Sequence, residues 1–415
     1  MKKGLLLLIF ALLGGVGLLA VSQDSNSDSG LPEGYWDSPA ATTGKAPHDW
    51  SKLEADLRPE ACAQCHAEQF DAWKSTRHAA AYSSGLVGQF AAMGHAGAND
   101  CLQCHAPLAE QLYADNADML DSVKLRLTHP TGFPVNGEIT DAVASNQTEK
   151  SKLPLRHSGV SCAVCHVRGW QRHGPPQRGT GATGQVDGPA HGGFSATADF
   201  EKSQFCASCH QFPQSMAING KPLENTLEEW KQSRFAKDGV HCQQCHMPDR
   251  KHEFRGIHDA EMVKKGLTFK LSERAGQAVF AITSKWIGHA FPTYVTPQII
   301  VRAEALDAAG KSLQTWQWEI VREVYYNNGW KEKRDTRLMP GERREFVAAD
   351  LPEGATHIRY RVQVIPDNFY KGVYESLLSD DMQPVAARHI RQATRDADAN
   401  DYLLYEKELV LTPAQ

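Results

Sequence analysis

The pattern Cys-x-x-Cys-His occurs five times between Cys62 and His246: Cys62/Cys65/His66, Cys101/Cys104/His105, Cys162/Cys165/His166, Cys206/Cys209/His210 and Cys242/Cys245/His246. These copies consume all ten cysteines. No other feature constrains the fold so tightly. Two thiols at this spacing can add across the vinyl groups of a haem, and the adjacent His reaches the iron from the same side. Disulfides or tetrahedral zinc sites would also use paired cysteines. Neither explains a His after every pair when only 18 of 415 residues are His. The sequence therefore predicts five c-type haems, with the ten Cys as attachment points and the five His as proximal iron ligands.

The motifs divide the chain. Residues 1–22 open with Met-Lys-Lys and an apolar run from Gly4 to Val21, ending in the small residues Ala20-Val21-Ser22. This reads as a signal peptide or as an uncleaved anchor, since the run is just long enough to span a bilayer. Either way the bulk of the protein is expected outside the cytoplasm: periplasmic, membrane-anchored or extracellular. Residues 23–52 are rich in Ser, Asp, Gly and Pro without apolar periodicity, the composition of a flexible linker. Residues 53–262 form the predicted pentahaem domain. At roughly forty residues per haem, the macrocycles must supply much of the core, so short helices and loops with little or no sheet are expected. The formal charge of -5, before any haem propionates, argues against nucleic acid and suits basic redox partners or a basic docking patch.

An internal repeat lies within the haem region. Phe70 and Trp73 follow His66 on one helical face, and Ala72-Trp73-Lys74-Ser75-Thr76-Arg77-His78 overlays Glu229-Trp230-Lys231-Gln232-Ser233-Arg234-Phe235. Thr226 and Glu229 have the spacing of a capping box. Gly-Val precedes a haem motif twice, at Gly159-Val160 and Gly239-Val240. The copies lie between the first and second motifs and between the fourth and fifth, so a duplicated two-haem unit is predicted. Between the third and fourth motifs, Gly169 to Gly193 reads as a long loop, either a flap over a haem edge or a surface excursion.

The second axial ligands are harder to read. Of the eight Met, Met247 is too close to His246 to reach its opposite face, so bis-His ligation is the expectation, with low potentials and closed irons. The candidates are His78 after the aromatic helix, His95 before the second motif, His157 before the third, His173 after it, His252 and His258 after the fifth, and His289. His289 lies in Trp286-Ile287-Gly288-His289-Ala290-Phe291-Pro292-Thr293-Tyr294, where Gly and Pro break a strand pattern as a presenting loop would. It is expected to reach back to a haem. His48, His357 and His389 read as structural, and His241 is too close to Cys242 to cap that haem.

From about Leu267 the pattern becomes near alternation. Gln277 to Ser284, Gln298 to Leu306, Lys311 to Glu319, Arg343 to Ala349 and His357 to Ile365 read as strands separated by turns. Tyr370 to Leu378 and Ala386 to Ala397 read as helices, and Tyr402 to Leu411 as a final strand. Residues 263–415 are thus predicted to be an antiparallel β-sandwich of immunoglobulin-like type with terminal helices, giving an α+β chain overall: a mostly α-helical and loop multihaem domain followed by this sandwich.

These residues together resemble exported multihaem cytochromes c, in particular the superfamily containing the nitrification tetrahaem cytochrome and hydroxylamine oxidoreductase. The resemblance runs from about Glu60 to Thr293 and rests on the five motifs, the Trp73 helix ending in His78, Gly239-Val240-His241-Cys242-Gln243-Gln244-Cys245-His246-Met247-Pro248 with His252 and His258, and Gly288-His289-Ala290-Phe291-Pro292-Thr293. It implies closely stacked haems, mostly bis-His, passing electrons. Tyr294 stands where many relatives have Gly. No Cys-x-x-Cys-Lys site is present, which argues against the pentahaem nitrite reductases of that superfamily. The leading expectation is electron transfer through five haems between redox partner proteins in the periplasm, membrane or cell surface. Two rivals are an oxidoreductase acting on a small nitrogen or sulfur compound at one open haem, near His173, His191, Arg172 and Arg178, and a docking role for the sandwich.

Overall fold

The computed structural model describes residues 30–42, 44–128, 153–379 and 382–412; the N-terminal apolar run lies outside them. Among the described residues no helix is long and apolar enough to cross a membrane. The chain forms two compact units that interleave in sequence. One contains the residues up to Cys209, His241–Phe254 and Tyr374–Asp396; the other contains His210–Val240, Arg255–Val373 and Ala397 onward. This differs from the single boundary at 262/263 expected from composition, because two segments join the unit remote from them in sequence.

In the first unit, short helices carry the motifs and two small apolar clusters hold them. Cys101 and Leu102 lie near the end of the kinked helix Ser84–His105 and pack with Tyr82, Val87, Phe90, Met119 and Val123. A second cluster joins Ala40, Leu57, Leu108, Ala163, Val164 and Val167. Helix Pro384–Ala399 reaches the first cluster because Gly88 has no side chain: a Cβ there would lie 2.7 Å from Ile390 Cδ1. The His389 ring follows, with Nε2 2.8 Å from the Val123 carbonyl. His389 is thus structural, as expected.

Two sequence expectations change here. The described part of the predicted linker is anchored at points: Ala40 and Thr42 are buried, Tyr35 is 4% exposed, its hydroxyl donates to the Cys165 carbonyl at 2.6 Å, and the Arg168 guanidinium lies 4.4 Å from its ring centroid. One buried aromatic outweighs the Gly/Ser/Pro composition around it. Nor is 169–193 structureless. Val167–Arg168, Gln171–Gly174, Gly184–Val186 and Phe194–Ala196 form a small four-stranded sheet, and Ala217–Ile218 pairs with Lys221–Pro222. These strands are too short to leave a periodic trace.

The second unit is mainly antiparallel sheet. Its strands are β1 (Leu267–Arg274), β2 (Gln277–Ser284), β3 (Gln298–Leu306), β4 (Ser312–Ile320), β5 (Arg322–Tyr326), β6 (Trp330–Asp335), β7 (Arg343–Ala348), β8 (His357–Ile365) and β9 (Tyr402–Val410). They form a four-stranded sheet in the order β4-β3-β8-β9, a three-stranded sheet in the order β7-β2-β1, and the hairpin β5-β6. Alternate residues of β8 (Ile358, Tyr360, Val362, Val364) are fully buried against Ala278, Phe280 and Ile282 of β2, as a period of two requires. The Tyr360 hydroxyl donates to the Ala278 carbonyl at 2.7 Å, so this polar tip is satisfied within the apolar interior.

Candidate haem-binding centres

The motifs recur as short helical turns. Cys162–His166 and Cys242–His246 are complete helices, while Cys101–His105 and Cys206–His210 end longer ones. In the first motif the His66 amide donates to the Cys62 carbonyl at 2.9 Å, closing a turn of the same kind. One turn of helix sets the two thiols three residues apart on the same side, with the His ring beyond them. No disulfide joins any of the ten cysteines. Among the described residues no group of three or more His, Cys, Asp or Glu is arranged to hold a bare metal ion, so the pairs are not gathered into zinc sites.

The ten predicted attachment cysteines do not share one environment. Cys101 is buried, and Cys62, Cys162, Cys165, Cys206, Cys209, Cys242 and Cys245 are partly buried. Cys65 and Cys104 are exposed. Which polypeptide groups surround each thiol thus differs from motif to motif. The reason lies in the helical turn. Cys101 and Leu102 point into the first apolar cluster, and three residues later Cys104 has left that face, together with the exposed His105. Cys65 likewise follows the half-buried Cys62 and begins an outward-facing run that includes His66. A thioether requires a thiol within reach of a vinyl group rather than a buried one, so the exposure of Cys65 and Cys104 is compatible with the role their spacing predicts.

The proximal imidazoles fit a haem iron. A ligating His is normally oriented by an acceptor on one ring nitrogen while the other meets the metal. His105 Nδ1 lies 3.0 Å from the Ala81 carbonyl, His166 Nδ1 2.7 Å from the His173 carbonyl, and His210 Nδ1 2.8 Å from Glu224 Oε1. In each case the orienting contact is at Nδ1, which turns Nε2 to the opposite side of the ring. Burial holds His166 down to about 4, aided by His252 and His66 and opposed by the His173 carbonyl; the neutral ring is the form that binds metal. Burial, then His191, also lowers His66.

The duplication predicted from the sequence is present in the hydrogen bonds, with a different pairing of motifs. Trp73 Nε1 donates to the Val160 carbonyl at 2.9 Å, and Trp230 Nε1 donates to the Val240 carbonyl at 2.9 Å. The Val160 amide donates to the His78 carbonyl at 2.9 Å, and the Val240 amide to the Phe235 carbonyl at 2.8 Å. Gly159 and Gly239 both take positive φ, 58° and 67°. The aligned residues Trp73/Trp230 and His78/Phe235 therefore perform the same backbone task. Each tryptophan clasps the Gly-Val before a later motif: the third in the first copy and the fifth in the second. In keeping with this, Cys62 and Cys162 are close enough to shift each other's thiol pKa, as are Cys206 and Cys242. The repeated module thus joins motifs one and three, and four and five. The second motif sits in an insertion, which is why adjacency in sequence suggested the wrong partner.

The candidate distal residues fall into distinct surroundings. His252 faces His166 with ring centroids 6.2 Å apart. Two imidazoles each bonded to one metal at about 2 Å have centroids roughly this far apart. The His252 Nδ1 is buried and makes no hydrogen bond of normal geometry; burial lowers the ring's pKa, opposed by the Arg250 carbonyl. His173 is 5% exposed, its Nδ1 also lacks a partner, and its ring meets the Tyr35 ring edge-on at 5.1 Å. Burial, then Arg168, pushes it down to about 4. The His78 ring lies 4.5 Å from the Phe254 ring. His95 follows the kink at Gly94, with its Nδ1 3.2 Å from Asn116 Oδ1. His157 is built into a buried network, its Nε2 3.1 Å from Ser122 Oγ and its ring 4.8 Å from that of Tyr82. His258 Nε2 lies 3.1 Å from Asp367 Oδ1. In both of these the nitrogen that usually meets iron is engaged by a protein group.

His289 is presented by a loop whose anchor the sequence did not reveal. Its Nδ1 lies 2.9 Å from the Ala290 carbonyl, the same orientation as in the proximal residues. The loop is held by Glu229, which accepts from the Ala290 amide at 3.0 Å, from the Thr293 hydroxyl at 3.3 Å and from Arg337 Nη1 at 3.0 Å. The sequence spacing has Glu229 closing a capping box with Thr226. Instead no side chain caps that helix, and the Thr226 hydroxyl bonds Thr293 at 2.8 Å. A buried guanidinium attracts the carboxylate more strongly than a backbone amide does. Burial pushes the Glu229 carboxyl up, opposed by Arg337, the Ala290 amide and Thr293.

His191, nominated only as a group near an open haem, sits at a φ of 41°. Its amide donates to Glu54 Oε1 at 2.8 Å and its Nδ1 lies 2.9 Å from the Gly193 carbonyl. The nearby arginines are engaged elsewhere: Arg172 Nη2 donates to the Glu54 carbonyl at 2.7 Å and Arg178 Nη2 to the Asp249 carbonyl at 2.8 Å.

The family model of cytochrome c554 and c-prime matches residues 61–124. The fold is similar to that of a penta-heme cytochrome c552 from Thermochromatium tepidum, with a TM-score of 0.56 and 19% sequence identity, covering 87% of this chain and 100% of that one. No curated protein matches the chain. The two similarities support a multihaem cytochrome c with c-type haem.

Proposed function

We propose that this protein is an exported pentahaem c-type cytochrome that carries electrons between redox partner proteins of the periplasm, membrane or cell surface. The observation that carries the reading is the facing pair His166 and His252, 6.2 Å apart beside a Cys-x-x-Cys-His motif. When bound, each haem supplies a one-electron site; the residues described here attach, orient and bury it. His252 is assigned as the distal partner of His166. The remaining irons take their second ligands from among His78, His95, His157, His173, His258 and His289, with His289 favoured by its oriented Nδ1. Kinship with the superfamily of the nitrification tetrahaem cytochrome and an immunoglobulin-like topology for the sheet unit belong to the same proposal. Bis-His ligation throughout leaves no iron open to small molecules.

The test is pyridine haemochrome quantification with low-temperature EPR of the oxidised protein. Five haems per chain, all low-spin and indifferent to cyanide and nitric oxide, are expected. His252→Ala should convert one haem to a high-spin, ligand-binding form. A wild-type protein with one high-spin haem that binds these ligands would replace the carrier reading with the oxidoreductase acting on a small nitrogen or sulfur compound.

A further inference from the structure

The first unit contains a cavity of about 260 Å³ whose lining includes Ser84, Arg126, Arg388, His389, Arg391 and Arg395. We infer that this cavity is a binding site for a small oxyanion of the phosphate or carboxylate class. Arg388, Arg391 and Arg395 are spaced three and four residues apart on helix Pro384–Ala399, which puts them on one face. Arg126 closes the other side from the helix Asn116–Thr128. It is 2% exposed, and its Nε donates to the Tyr82 carbonyl at 3.2 Å. A guanidinium so deeply buried needs negative charge nearby. Asp396 supplies part of it and is itself bonded by Gln392 Nε2 at 2.7 Å; Arg77 also acts on this carboxylate. Among the described residues the lining carries four arginines and no carboxylate, with Asp396 beside it, so the cavity wall is positive.

His389 adds a second, independent indication. It is 1% exposed, and with Nε2 donating to the Val123 carbonyl its Nδ1 is an acceptor that is buried without a hydrogen-bond partner. An oxyanion that carries a proton, such as hydrogen phosphate or a carboxylic acid in exchange with its carboxylate, would donate to Nδ1 while its other oxygens accept from the arginines. The helix bearing the three arginines packs through Val385 on the cluster that contains Cys101 and Leu102. An anion here therefore sits on the scaffold of the second motif. Its source is either a solute or a propionate of the protein's own haem; the latter alternative rests on the haem reading above.

The test uses purified holoprotein and inorganic phosphate in titration calorimetry, with ionic strength held constant by chloride. The double variant R388Q/R391Q changes two exposed side chains, and far-UV circular dichroism checks that it folds as wild type. A solute site gives saturable binding of one phosphate, weakened about tenfold or more in the double variant. A site filled from within gives no phosphate binding, and instead a haem-propionate carboxylate band in redox-difference infrared spectra that shifts in the double variant. Phosphate heats equal to those of chloride, or unaffected by the substitutions, overturn the inference. So does the absence of saturable binding together with an unshifted propionate band.

Discussion

Glu229 is the side chain whose loss should reveal how the second unit presents His289. It is 8% exposed and its carboxylate serves three donors: the Ala290 amide, the Thr293 hydroxyl and the Arg337 guanidinium. Arg337 is 2% exposed and has a second partner, Asp335, at 2.9 Å through both Nε and Nη2. Stranding a buried charge costs about 3–5 kcal/mol. Because Asp335 remains, Glu229→Ala should incur only roughly 2 kcal/mol of that penalty, and the orphaned Ala290 amide adds about 1–3 kcal/mol. The expected loss is therefore about 3–5 kcal/mol. Glu229→Gln keeps an acceptor for the amide and loses only the charge, so roughly 1–2 kcal/mol is expected. Guanidinium unfolding of the holoprotein, followed by far-UV circular dichroism and by the Soret band, measures both. A Glu229→Ala loss below about 1 kcal/mol, or equal losses for the two variants, would refute the account of this carboxylate as the anchor of the loop.

The first unit offers two more tests. At His78→Phe the duplication supplies its own control, because Phe235 occupies the equivalent position and its carbonyl still receives the Val240 amide. The variant should fold with unchanged circular dichroism, and if His78 ligates an iron, one EPR signal should change from low to high spin; a misfolded variant would contradict the equivalence of the copies. Glu54 is held at about 2 by the His191 amide and by Ser51. A carboxyl depressed in the folded state contributes stability that is present above its unfolded value of about 4.5 and is lost as pH falls toward 2. Pepsin cleavage between residues 171 and 196 should thus rise across that interval in wild type, while Glu54→Gln should be cleaved at a rate that shows no such step.

The parts legible in the sequence were those with a strong local signal. The strands Gln298–Leu306 and His357–Ile365 matched their expected limits because burial alternates along them, and Gln277–Ser284 matched as a short apolar run buried on both faces between turn signals. The strands β1, β5 and β6 were missed: Trp330–Asp335 is almost wholly charged, and Leu267–Arg274 alternates only through Leu267, Phe269 and Leu271 before ending in Ser272-Glu273-Arg274. The motifs were legible as five repeated signatures, but not that Cys101 would pack in an apolar cluster with Leu102, since five identical signatures carry no record of what the chain places beside each turn. The distal side was illegible because an iron's second ligand is chosen by tertiary proximity. His252 meets His166 from 86 residues away, and the same residue type serves as a core hydrogen-bonding group at His157 and His389. The linker failed for the converse reason: Tyr35 and Trp36 lie among Gly, Ser and Pro, and only the folded structure provides the Cys165 carbonyl and Arg168 that Tyr35 meets.

The duplicated clasp helps explain how four of the five motifs can be organised by so little polypeptide. In each copy an indole N–H and a backbone carbonyl fix the turn before a later motif, and a glycine there takes positive φ; in the first copy that glycine also lets the chain approach closely. At Gly159 a Cβ would lie 2.6 Å from the His78 carbonyl oxygen. The constraint is on backbone, so the side chain at the clasp position is left open to vary, as His78 and Phe235 do. A scaffold of this kind can exchange the side chain at the clasp without disturbing how the motifs are spaced, because the clasp itself is made by an indole N–H and backbone groups.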